Sequence, residues 1–141
     1  AERDHLTVVT HAFPIAMALA SNPFHKVLML PGQHDSREGL IHGPDTIDAL
    51  SKYRASKAFL GASGLTPEGP NDAGVGPGLV YGSMMRRAAQ SVILADHSKF
   101  DRPSLSVYGP WSPSVSLVTD AAPQGDLAEA MRISGTHLIL A

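Results

Sequence analysis

Four successive residues, Asp96-His97-Ser98-Lys99, carry a carboxylate, an imidazole, a hydroxyl and an ammonium directly behind the apolar run of residues 91–95. Lys99 could pair with a phosphate or carboxylate, while Asp96 could hold a sugar hydroxyl or orient the lysine. The same residues could instead close as a plain turn, with Asp96 capping the N–H of His97 or Ser98 and pairing with Lys99. Gly61 and Gly64, enclosing Ser63, could let backbone approach a ligand, although this pattern is more simply a turn. It is not a dinucleotide fingerprint, because no helix starts directly behind it. Ser63 lacks the Gly-x-Ser-x-Gly context of an activated nucleophile. The seven histidines include no pair four residues apart on a helix, and no acidic cluster accompanies them. No metal site, cofactor or catalytic triad is therefore expected, and nothing in the pattern asks for an enzyme.

These residues must be positioned by strands and helices. Apolar, β-rich runs occupy residues 6–10, 26–30, 57–61, 91–95, 115–119 and 136–140, most of them continuous rather than alternating, as in strands covered on both faces. Helices are predicted over 14–20, 44–50, 79–90 and 126–134, with Pro14 and Pro44 in first turns and Gly135 as a stop. In the third, Val80, Met84 and Ala88 form one apolar stripe that Met85 and Ala89 widen. Alternation of strand and helix predicts an α/β fold, a doubly wound, mostly parallel sheet. Residues 61–78, with six glycines and three prolines, read as a long functional or mobile loop. A short strand is expected over 105–108, and Trp111 reads as local packing or an exposed anchor for a partner.

Open parallel sheets bind ligands outside the carboxyl ends of their strands. The residues that fall there are Thr10-His11, Pro31-Gly32-Gln33, Gly61 to Gly64, Asp96 to Lys99, and Thr119-Asp120. From them, His11, Gly32, Gly61, Ser63, Gly64, Asp96 and Lys99 are the candidate ligand-binding residues. Small residues, hydroxyls and one lysine suit a small polar or phosphorylated ligand.

Composition bounds the alternatives. The 141 residues suffice for one domain, and 43% apolar against 17% charged residues marks a globular chain. The net charge of -2 shows no basic face with which this segment would grip DNA. Cysteine is absent, which excludes disulfides and thiolate metal sites and permits a reducing compartment. No apolar run approaches a membrane span and the N-terminus does not resemble a signal peptide, so the expected location is the cytoplasm.

Residues 6–10 leading to Pro14-Ile15-Ala16, then Gly32, Gly43-Pro44, residues 57–61 and Gly64-Leu65-Thr66-Pro67 resemble, in order, the C-terminal sensor domain of DeoR-type transcriptional regulators. The block Ala95-Asp96-His97-Ser98-Lys99-Phe100, followed by Leu117-Val118-Thr119-Asp120, is the specific part, and the resemblance covers almost the whole chain. It implies a Rossmann-like fold similar to the sugar-phosphate isomerase and CoA-transferase group. It further implies that residues 1–141 are an effector-sensing domain, N-terminally incomplete, preceded in the whole protein by a DNA-binding winged helix-turn-helix. Such a domain would be homo-oligomeric and would sense a phosphorylated sugar or related metabolite. Asp96 and Lys99 match the motif and carry its role over. His11 stands where the family usually has asparagine, and Pro77 and Tyr81 stand where it usually has a glutamate and lysine. Either the ligand differs, or Lys99 and backbone groups carry the charge, or the pocket no longer responds. The rival expectation is an isomerase or deaminase of the same fold group, for which only Asp72 or Asp96 could serve as base.

Overall fold

The computed structural model describes residues 5–37 and 39–141. They fall into two compact units, Ala1–Lys52 and Tyr53–Ala141.

In the first unit, β1 (Thr7–Thr10) and β2 (Lys26–Met29) pair in parallel with Val8 opposite Val27. Two parallel neighbours cannot be joined by a tight turn, and α1 (Phe13–Ala20) supplies the crossover. Pro14 sits in its first turn, where the missing N–H costs no helical bond. A short antiparallel hairpin follows, β3 (Gln33–Asp35) with β4 (Leu40–His42). Its strands are too short to register as a period in sequence. Helix α2 (Pro44–Leu50) then buries Thr46 and Leu50.

The second unit has the architecture that the alternation predicts, a parallel sheet with helical crossovers. Its strands run β5 (Ala55–Leu60), β6 (Gly64–Thr66), β7 (Gly69–Asp72), β8 (Ala88–Leu94), β9 (Ser106–Val107), β10 (Val115–Thr119) and β11 (His137–Leu140). Helix α3 (Val75–Arg87) precedes β8, and α4 (Gly125–Ser134) precedes β11. The main sheet is wholly parallel, in the order β11-β10-β8-β5. Register places Ala58 beside Ser91 and Ser91 beside Val115, so that Ala58, Leu60, Ile93, Val115 and Leu117 share one face. Those five side chains form one buried cluster with Leu127 and Met131 of α4, Leu65, Tyr108 and Trp111. Val80 of α3 is also fully buried. The opposite face carries Phe59 and Leu94, 62% and 49% exposed.

Three sequence expectations change. Residues 61–78 are not a loop: β6 and β7 form a buried antiparallel hairpin that β9 extends to three strands. Leu65, with no exposed surface, anchors it in the core. The strand expected over 105–108 is present as Ser106–Val107. Helix α3 starts earlier than periodicity suggests and ends at Arg87, after which Ala88 turns directly into β8 at φ -106 and ψ 145. Residues 88–90 are good helix formers, but pairing of Ala88 with Ala55 and Gln90 with Lys57 overrides that preference. Gly135 closes α4 as expected, in the left-handed conformation at φ 77. Trp111 is a packing residue, 6% exposed, whose indole N–H donates to the carbonyl of Thr66 at 2.7 Å.

Leu117 lies fully buried at the centre of the sheet. Leu117→Ala should lower unfolding stability by about 2–5 kcal/mol, transfer and cavity terms combined. Denaturant titration followed by the fluorescence of Trp111, the sole tryptophan, would measure it.

Candidate functional site

Parallel pairing brings the carboxyl ends of neighbouring strands to one edge of a sheet, about 4.8 Å apart. In the second unit that edge carries Gly61 and Ser63 behind β5, Asp96 to Lys99 behind β8, and Thr119 and Asp120 at the end of β10. Four candidate residues, Gly61, Ser63, Asp96 and Lys99, therefore belong to the loops of two adjacent strands, and Gly64 opens β6 directly behind the first of them. His11 and Gly32 belong to the first unit, behind its parallel pair β1 and β2.

The β8 loop is a single 3-10 turn, His97–Lys99, capped by Asp96. One carboxylate oxygen of Asp96 accepts from the Ser98 N–H at 2.8 Å and also from the Ser98 hydroxyl. These bonds hold the Asp96 carboxyl below its usual range. The capping expected of a plain turn is thus present, but the expected pairing of Asp96 with Lys99 is not. Among the described residues, the half-buried Lys99 ammonium makes neither an ion pair nor a hydrogen bond.

His97 and Asp120 make a contact that sequence reasoning missed. The carboxylate of Asp120 accepts the His97 backbone N–H at 2.7 Å and lies 2.7 Å from its Nδ1. The partners are 23 residues apart. The available signal was that each lies within three residues of the end of a strand, and those two strands are neighbours. The hydrogen bond and charge of Asp120 raise the His97 imidazole above 6.5, and the bonds from His97 lower the Asp120 carboxyl below 3.8. Next to Asp120, the Thr119 hydroxyl is buried and has no hydrogen-bond partner among the described residues.

The β5 loop is tied to the hairpin. The Ser63 hydroxyl donates to Asp72 at 3.4 Å and accepts from the Ala73 N–H at 3.3 Å. Asp72 also accepts from the Gly74 N–H at 2.8 Å. The two glycines bounding this loop have different surroundings. A side chain on Gly64 would strike the carbonyl of Arg102 and the amide of Asn71, so glycine there is a condition of hairpin packing. A Cβ on Gly61 would meet only the Tyr81 hydroxyl, at 3.8 Å.

In the first unit, Gly32 has φ +142, and a side chain on it would collide with Thr46 and Ile41. Thr46 is itself fixed by donating to the Pro31 carbonyl at 2.6 Å. His11 is 5% exposed. Burial first, and the charge of His42 second, push its imidazole down to about 4, so it is neutral at pH 7.

The described residues contain no group of three or more metal-ligating side chains and no helix long and apolar enough to cross a membrane.

Comparison with known proteins matches residues 1–121 to the family described as "DeoR C terminal sensor domain". The chain is 28% identical over 134 residues to the HTH-type transcriptional repressor GlcR of Bacillus subtilis, covering 95% of this chain and 52% of that protein. It is 25% identical to the HTH-type transcriptional repressor CsqR of Escherichia coli, covering 97% and 53%. It is 27% identical to the glycerol-3-phosphate regulon repressor of Escherichia coli, covering 84% and 48%. The chain spans about half the length of these relatives.

Two pH effects follow. His97 keeps its proton to higher pH in the folded state, so its contribution is full below about 6.5 and fades as pH rises through the raised value. That of Asp120 is present above 3.8 and fades as pH falls through its lowered value. The contact is strongest between those limits. An imidazole NMR titration should place His97 above 6.5, and Asp120→Asn should return it toward that value. For His11 the sign is opposite to that of His97. Its neutral burial stabilises above 6.5, and that contribution is lost as pH falls toward about 4. Thermal melts across this window should decline, and His11→Gln should flatten the decline.

Proposed function

The chain belongs to the DeoR C-terminal sensor domain family, and from that premise we propose that it binds a phosphorylated sugar or related small metabolite at the carboxyl edge of its parallel sheet. Binding would alter the grip on DNA of a helix-turn-helix located elsewhere in the protein. The observation that carries this reading is Lys99, a half-buried residue at that edge whose ammonium pairs with no carboxylate among the described residues. Lys99 lies in a turn whose geometry is fixed twice, by Asp96 capping Ser98 and by Asp120 clasping His97. A preorganised cation of this kind needs little ordering when an anion arrives.

Gly61 and Ser63 on the neighbouring loop, and the Thr119 hydroxyl next along the sheet, offer further backbone and hydroxyl contacts. Asp96 is held ionised and could accept a ligand hydroxyl with its second oxygen. Gly64 would act by holding the hairpin that carries Asp72. His11 and Gly32, at the carboxyl edge of the first unit's own parallel pair, are proposed as ligand contacts of that unit by itself. Relatives named as repressors, one of them for the glycerol-3-phosphate regulon, support a regulatory rather than catalytic role. Effector and operator are then linked through the protein's states. The effector shifts DNA affinity only by its differential affinity for the two arrangements. Association into a homo-oligomer in the cytoplasm completes the proposal.

A thermal-shift screen of sugar phosphates against the intact protein tests it. A ligand at one hundred times its dissociation constant should stabilise by about 2.7 kcal/mol. Lys99→Ala should weaken that ligand by about 1.5–3 kcal/mol, the usual worth of a hydrogen bond to a charged group. A hit that is indifferent to Lys99→Ala would remove Lys99 from the site.

A further inference from the structure

One corner of the second unit gathers groups that suit an uncharged ligand rather than an anion. The Tyr81 and Tyr108 rings lie 5.2 Å apart at an interplanar angle of 41°. Tyr108 donates its hydroxyl to the carbonyl of Gly61 and so fixes the loop behind β5. Burial, reinforced by neighbouring Tyr81 and Asp72, pushes the Tyr108 phenol up and keeps that proton in place. Asp72 is held by the Ser63 hydroxyl and the Gly74 N–H, and among the described residues it has no ion-pair partner.

The space beside these groups is at Gly61. Gly125, before α4, has nothing within 4 Å of an added Cβ, but the glycines packed around the hairpin and α3 are filled by their neighbours. Gly78 would meet Ser106 at 2.6 Å, Gly82 the Tyr108 carbonyl at 2.9 Å, and Gly109 the Met85 sulfur at 2.6 Å. At Gly61, only the Tyr81 hydroxyl comes within 4 Å of an added Cβ. Gly61, Ser63, Asp72 and Tyr81 are all half-buried, neither sealed in the core nor fully in solvent.

We infer that the opening at Gly61 is the subsite for the uncharged, hydroxyl-bearing body of the effector, a sugar or polyol lying against Tyr81 with a hydroxyl donated to Asp72. A phosphate there would set its charge against an unpaired carboxylate, whereas a hydroxyl brings the proton that a carboxylate lacks. A few convergent polar groups, here the Tyr81 hydroxyl, Ser63 and Asp72, are what orient a ligand in a small-molecule pocket. A cationic amine would be drawn to the same carboxylate, but the two rings are tilted at 41° rather than facing one centre that could enclose a cation. This inference rests on the effector reading above, and assigns the body of the ligand where Lys99 was assigned its charge.

Titration calorimetry on the intact protein would use glucose, fructose, glycerol, the phosphate monoester of each, and glucosamine. Gly61→Ala, Gly61→Val and Asp72→Asn would be compared with Lys99→Ala. Because an added Cβ meets no more than an ordinary contact with the Tyr81 hydroxyl at 3.8 Å, Gly61→Ala should leave the melting temperature unchanged while weakening binding. Gly61→Val should weaken binding tenfold or more, and Asp72→Asn should weaken free sugar and monoester alike. Lys99→Ala should weaken only the monoester. Monoester binding that responds to Lys99→Ala but not to Gly61→Val or Asp72→Asn would overturn the subsite and leave the effector reading standing. Binding that responds to Gly61→Val but not to Lys99→Ala would support the subsite and remove Lys99. A tenfold preference for glucosamine over glucose, or no binding by any probe, would overturn the inference.

Discussion

Parallel register between β5, β8 and β10 is the constraint on which the candidate site depends. Because Leu60 pairs with Ile93, and Ile93 with Leu117, the three strands end within a few residues of one another at the same edge. The chain can reach its next parallel strand only by crossing back over the sheet, and α3 and α4 make two of those crossings. Each new strand therefore delivers a new loop to that edge. Residues far apart in sequence become neighbours without any direct attraction between them. The apolar face that enforces register and the polar edge that could receive a ligand are consequences of one arrangement.

The charges at that edge are arranged so that most are already satisfied. Asp96 is occupied by its own turn and Asp120 by His97, and both are held ionised by the hydrogen bonds they accept. Each interaction is solvent-exposed and screened by salt, so its worth lies in geometry more than in stability. Asp120 ties the turn behind β8 to the end of β10 and thereby limits where Lys99 can move. Among the described residues Lys99, in the same turn, pairs with no carboxylate, and on the proposed reading it is the group left to meet an anion.

The legible parts of the sequence were those where a single signal dominated. Residues 115–119 are found as β10 and residues 44–50 as α2, because an apolar run and a first-turn proline leave little competition. The hairpin of β6 and β7 was hidden because Gly64, Pro67, Gly69 and Pro70 are the composition of a loop. Only long-range burial of Leu65 makes it sheet. Helix α3 opens on Val75-Gly76-Pro77-Gly78, poor helix formers that tertiary packing of Gly78 against Ser106 imposes. At the site, the residues behind each strand could be named in advance, because ligand edges follow from parallel topology. Their pairings could not. His97 with Asp120 and Ser63 with Asp72 depend on which strands are adjacent, and strand order is not written in local periodicity.

Two glycines bounding one loop show how the same residue type can serve opposite ends. At Gly64 the absent side chain is replaced by protein, the Arg102 carbonyl and the Asn71 amide, so the vacancy closes and the hairpin locks. At Gly61 an added Cβ would make an ordinary contact with the Tyr81 hydroxyl at 3.8 Å, so the position is not closed by protein in the same way. The first supports the second. The locked hairpin carries Asp72 and holds Ser63 through the backbone bond from its N–H to the Asn71 carbonyl at 2.9 Å. Tyr108, beyond the third strand of the same hairpin sheet, fixes Gly61 from the other side. An open position bounded by elements that cannot easily move is preorganised, and lower ordering cost on binding is what preorganisation contributes. On the inference that Gly61 borders a ligand, the tight packing around Gly64 would be what holds that position in place.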